Sequence, residues 1–120
     1  MKKAGKKHLL QRVRYWQEKL GLGEWALAVH VTAPQDRKVH ATCEADHEYW
    51  EAVLEFDLDW IEPEDLDGYV VHELSHLLIA QLVHAADTLA LGNRVVEEWV
   101  RTSMETAVVG IERAILRIHR

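Results

Sequence analysis

The segment His72-Glu73-Leu74-Ser75-His76 holds the residue types whose spacing is best suited to chemistry in this chain. On a helix, positions four apart share a face, so His72 and His76 can turn two imidazoles toward one metal ion. Glu73 lies about 100° further round the helix. From there its carboxylate can reach a water in an open coordination position without being a ligand itself. A divalent ion lowers the pKa of such a water from 15.7 to roughly 7 and polarises a carbonyl, while the carboxylate takes the proton and passes it to a leaving amine. Two metal-holding histidines and one general base are therefore expected here. The flanks Val70, Val71, Leu74, Leu77, Leu78 and Ile79 are apolar, which predicts a buried helix. Two histidines and a glutamate are costly to desolvate in such a helix without partners. Metal ligation supplies them; the bland alternative is that backbone carbonyls or acidic side chains satisfy the histidines.

Catalytic zinc usually takes three protein ligands and keeps one position open, so a third ligand must come from elsewhere. His84 follows His76 by eight residues, roughly 12 Å along a continuous helix at 1.5 Å per residue, and reaches the same ion only if that helix breaks. The last helical stretch offers Glu97 and Glu98 in its first turns. Here the chain resembles the gluzincin metallopeptidases, the thermolysin-like branch of zincins. The resemblance rests on His72-Glu73-Leu74-Ser75-His76, followed about twenty residues later by a helix that opens with Glu97-Glu98. It implies Zn2+ as cofactor, a glutamate ligand on the following helix, and hydrolysis of peptide bonds in a peptide or protein substrate. The whole chain looks similar in outline to minimal zincins of phage and prophage type. That implies a helix, a short meander and two active-site helices, with the last strand, Tyr49 to Leu58, bordering the substrate cleft and pairing with an extended peptide.

The helical period favours Glu97 as the third ligand, because it falls beside Val100, Met104, Val108, Ile111 and Ile115, whereas Glu98 falls beside Arg101, Thr102, Glu105 and Glu112. Glu98 stays the alternative. Departures from the better-known zincins are plain. Ile79 and Leu82 stand where metzincins carry a glycine and a third histidine, and Arg101 stands where large gluzincins place a carboxylate four residues after the ligand. Nothing is thereby assigned to orient a histidine ligand, and His84, His47 and Tyr49 are the candidates for stabilising an oxyanion. A site of two histidines and a carboxylate also accepts manganese, iron or cobalt.

These residues need elements to position them. Leu9, Leu10, Val13, Trp16 and Leu20 have helical spacing over about Lys7 to Leu20, closed by Gly21 and Gly23. Extended segments follow: Trp25 to Val31, ending before Pro34, then Val39 to Ala45 and Tyr49 to Leu58. Three strands on short loops predict an antiparallel meander. In the third, Ala52, Leu54, Phe56 and Leu58 share one parity and Glu51, Val53, Glu55 and Asp57 the other. Pro63 suits the first turn of a helix that carries the metal motif to about Ala86, with Glu62, Glu64, Asp65 and Asp67 near its positive end. A last helix spans about Arg94 to Ile118 after the break at Gly92 and Asn93. The order predicts a single α+β domain over 1–120.

At 120 residues and 13.9 kDa the chain suits one core. Its net charge of −6, with basic residues gathered near the ends at Lys2, Lys3, Lys6, Lys7, Arg113, Arg117 and Arg120, does not favour nucleic acid. The one cysteine, Cys43, excludes an intramolecular disulfide and a multi-cysteine zinc site, and reads as a strand residue without a partner histidine. No apolar run reaches the ~20 residues of a membrane span. A soluble, cytoplasmic protein is expected, without nucleic-acid or membrane partners, and as a monomer. The five tryptophans read as core and interface packing. His30, His40 and His47 read as surface or cleft residues. Two functions of different class remain: a zinc peptidase, and a non-catalytic binding or accessory module held together by zinc. Glu73 favours the first, since a structural site does not need it.

Overall fold

The computed structural model describes residues 4–32 and 39–118; Lys2, Lys3, Pro34 and Arg120 lie outside them. Helix α1, Lys6–Lys19, buries Leu9, Val13 and Trp16 at the expected three- and four-residue spacing. It stops at Gly21, whose φ of 70° is one that glycine adopts without steric penalty. Gln17 Nε2 then donates to the carbonyls of Leu22 and Trp25 at 3.0 and 2.9 Å, which leads the chain into the sheet.

Strands β1 (Ala26–His30), β2 (Ala41–Asp46) and β3 (Glu51–Phe56) form a mixed sheet rather than the expected meander. The order is β1-β3-β2, with β3 parallel to β1 and antiparallel to β2. The alternation read from the sequence is present in β3: Ala52, Leu54 and Phe56 are buried while Glu51 and Val53 are exposed. The misplaced feature is its position. The strand with the most deeply buried face gains most from a neighbour on each side, whereas His30, Glu44 and Asp46 suit the edges, where polar side chains discourage further pairing. Succession in sequence is a weaker guide, since consecutive strands are neighbours roughly two-thirds of the time. Glu55 reinforces the order on the outer face, where its carboxylate accepts hydrogen bonds from Thr32 Oγ1, just past β1, at 2.8 Å and from Thr42 Oγ1 of β2 at 3.3 Å. Both edges of β3 are occupied, so the strand expected to pair with a peptide cannot do so. β2 offers a free edge instead.

Pro63 opens a 3-10 turn, Pro63–Asp65, that runs into α2, Leu66–Leu78. Val70, Val71 and Leu74 of α2 are fully buried in one core with Leu9 and Val13 of α1 and Leu54 and Phe56 of β3. Asp67, in the first turn of α2, takes a two-pronged contact from Arg12 of α1, at 2.8 and 3.0 Å. The single helix expected as far as Ala86 is interrupted at Ile79 (φ −120°, ψ 9°) and restarts as α3, Ala80–Ala90. No glycine or proline marks this break, and the local sequence does not explain it. Gly92, at φ 86°, and Asn93 make the next turn. The Asn93 side-chain oxygen accepts from the Val96 N–H at 3.1 Å and caps α4, Arg94–Ile118. Helix α4 packs against both α2 and α3. No helix among the described residues is long and apolar enough to cross a membrane.

Candidate metal centre

His72 and His76 lie one turn apart on α2 with their ring centroids 5.4 Å apart. The third acidic group facing them is Glu105 of α4. Its Oε2 lies 3.8 Å from His72 Nε2 and its Oε1 lies 3.7 Å from His76 Nε2. Ligand atoms of the three residues all fall within 4.8 Å of one another. Tetrahedral zinc bonds of about 2.0–2.1 Å set ligand atoms roughly 3.4 Å apart, so this donor set fits a divalent ion with a contraction of a few tenths of an ångström. Two imidazoles and one carboxylate leave a fourth position for water or substrate.

Neither Glu97 nor Glu98 is in this cluster. Glu97 folds back on the turn before α4, where its Oε1 accepts from the Gly92 N–H at 3.0 Å, and Glu98 pairs with Arg101 on the exposed surface. The cause is the length of α3. The chain travels out along α3 before α4 returns, so the first turns of α4 lie beside α3, and α2 meets α4 further along. Glu97 precedes Glu105 by eight residues, roughly 12 Å of helix.

Glu112, two turns beyond Glu105, supplies what the sequence left unassigned. Its Oε1 lies 2.7 Å from His72 Nδ1. A carboxylate on one ring nitrogen favours the tautomer with the proton there and leaves the other nitrogen, Nε2, as a metal-ready lone pair. The signal was available in the spacing: Glu105 and Glu112 are seven residues apart and flank Val108, the residue of α4 that is fully buried. His76 is held below the ordinary imidazole pKa by burial and by the His72 charge, against the opposing pull of Glu105, which favours the neutral, ligating form.

Glu73 is 6 % exposed and accepts no hydrogen bond from the described residues. Burial pushes its carboxyl up to about 7, with His72 opposing and Glu105 and Glu112 reinforcing the shift. Together with His72 and Glu112 it lines an open cleft of about 850 Å³, whose other walls include His40, Ala41 and Tyr69. The cleft therefore runs past the histidine cluster and along the start of β2.

The remaining candidates disperse. His84 and His47 face each other with ring centroids 4.0 Å apart, and Tyr49 is exposed. The break at Ile79 thus does not deliver His84 to the histidine pair. His40 stacks on Trp60 at 5.8 Å and meets Tyr69 at 6.3 Å; these two cleft residues, His40 and Tyr69, are better placed than the three named from sequence. The Cys43 thiol is pushed up to about 12 by burial and by the carboxylates of Glu73 and Glu44, which suits an inert strand residue. Trp16 and Trp25 are core, whereas Trp60 and Trp99 are largely exposed. Comparison of the chain with protein-family models, with curated proteins and with solved structures finds no match.

Proposed function

We propose that this protein is a zinc-dependent peptidase of the gluzincin kind, with His72, His76 and Glu105 as ligands and Glu73 as general base. The observation that carries the proposal is Glu73: a buried carboxyl, free of hydrogen bonds, on the wall of a cleft next to three residues suited to hold a cation. A site that only staples helices together has no use for such a group. The zincin-like fold, and the cytoplasmic setting that a lone cysteine favours, belong to the same proposal.

A zinc ion in this site supplies Lewis acidity to water and to a carbonyl oxygen. The chain does the rest. Glu105 brings the negative charge that offsets the cation, and Glu112 fixes the His72 ring so that Nε2 points to the cluster. Glu73 accepts the proton from the attacking water and returns it to the leaving amine, a task for which a carboxyl raised by burial is better matched to neutral pH than an ordinary one. The edge of β2 can hydrogen-bond an extended peptide along the cleft, in the way strand addition recognises backbone.

Glu73→Gln keeps the shape of the side chain and removes the base. Turnover on a peptide library should fall by at least ~10²–10⁴-fold, the usual worth of acid–base help, while elemental analysis still finds one zinc per chain. Equal cleavage by both proteins would sink the proposal. Zinc lost from the variant would turn Glu73 into a ligand.

A further inference from the structure

Helices α3 and α4 pack against each other but add no fully buried residue to the core that α1, the sheet and α2 share. They show large apolar side chains to solvent instead: Leu82, Leu89, Leu91, Val95 and Trp99 are each 70–89 % exposed. On α3 the exposed residues Leu82, Ala85 and Leu89 recur at three and four residues, the period of a helix face made for another helix. Across the turn, Leu91, Val95 and Trp99 recur every four. Such an array is far more than the scattered single residues normal on a surface.

The area of the molecule says how large the missing cover is. A folded monomer of 13.9 kDa exposes about 6,700 Å². This chain exposes 8346 Å², so the excess is about 1,700 Å². Standard interfaces cover about 800 Å² per partner, and permanent ones about 1,000–2,500 Å². The shape agrees: the radius of gyration is 14.7 Å against about 13.6 Å for a compact chain of this length.

We infer that this protein is a homodimer in which the α3–α4 hairpins of two copies pack on each other around Leu82, Leu89 and Trp99. A second copy is the occupant that the surface fits, because a two-fold contact needs one face to complement itself. The groove between α3 and α4, about 410 Å³, has Val83, Leu91, Val100 and Met104 in its walls and runs past the projecting Trp99. Hollow and knob are thus on one face. Charges of both signs border it, in Arg94, Arg101, Asp87 and Glu98, which allows cross-pairing and gives no reason for an anionic membrane to bind.

The test is the mass of the full chain by light scattering during size exclusion, at loading concentrations from 5 to about 200 μM, with Leu89→Glu/Trp99→Glu and Leu82→Glu in parallel. Wild type should show twice 13.9 kDa, and both variants should shift to 13.9 kDa with unchanged far-ultraviolet dichroism. Side chains this exposed cost the monomer fold nothing when replaced. Wild type that stays monomeric at the highest concentration overturns the inference and leaves the face to a different protein. Dimeric variants overturn it too, by moving the contact to another face. The zinc-peptidase proposal is untouched by either result.

Discussion

At the residue scale the centre divides into ligands, a base and a support, and each should fail differently. His72→Ala, His76→Ala and Glu105→Ala each remove one of three donors, so zinc should be lost on dialysis. Glu97→Ala should keep it, because that side chain serves the turn at Gly92. Glu112→Gln removes a hydrogen-bond acceptor from His72 Nδ1 without touching the donor set. Its zinc affinity, read by competition with a chromophoric chelator, should drop 10–100-fold, the usual cost of losing such a support. Full zinc binding in Glu105→Ala would disprove its assignment. His72, Glu73 and His76 could be read from sequence because four-residue spacing is a local property of one helix. Glu105 was not read, because the ligand was sought on the most apolar stripe of α4. A ligand that faces an open cleft stands instead on the border of that stripe, as Glu105 and Glu112 do beside Val108.

At the scale of elements, α1, the sequence-predicted strands and α4 were legible within a few residues, since each shows its period locally. Strand order was not, because it depends on how β1, β2 and β3 compete for the protected central place. The third ligand needed a count across elements. From His76 to Ala90 the chain runs fourteen residues outward, and the same number back from Arg94 reaches Val108, midway between Glu105 and Glu112. The Arg12–Asp67 pair is the side-chain link between α1 and the base of the metal helix, and it gives a prediction about pH. Burial pushes Asp67 up, but hydrogen bonds from Arg12 and Trp16 and the charge of Arg12 outweigh it and hold the carboxyl below its ordinary range. A depressed carboxyl contributes stability that is complete above its unfolded pKa and is lost as pH falls through the folded one. Asp67 is 41 % exposed, so solvent screening keeps the pair near the surface value of about 0.5–1 kcal/mol. Asp67→Asn should cost that much in urea denaturation at pH 7 and nothing below the carboxylate range. A gap that persists into strong acid would show that the ion pair is not its source.

Across the whole molecule the centre joins two parts that otherwise share little. The core made by α1, the sheet and α2 carries the histidines, while α4 carries Glu105 and Glu112 and buries one residue outright. Without a cation, the facing carboxyls of Glu73, Glu105 and Glu112 raise one another's cost of ionisation, and α4 is held to α2 by little more than Val108 and the partly buried Ile115 and Leu116. A cation that binds only the folded chain stabilises it by RT ln(1 + [L]/Kd), about 2.7 kcal/mol at a hundredfold excess over Kd. For a domain of this size that is a rise in Tm of roughly 10 °C. Calorimetry of zinc-loaded and chelator-treated protein should show the difference in wild type and in Glu73→Gln alike, because the base is not a ligand. His76→Ala should melt at the chelated temperature whether or not zinc is added. A melting point that ignores zinc in wild type would mean that the cluster does not bind the ion in solution, and with it would fall the metal on which the peptidase assignment depends.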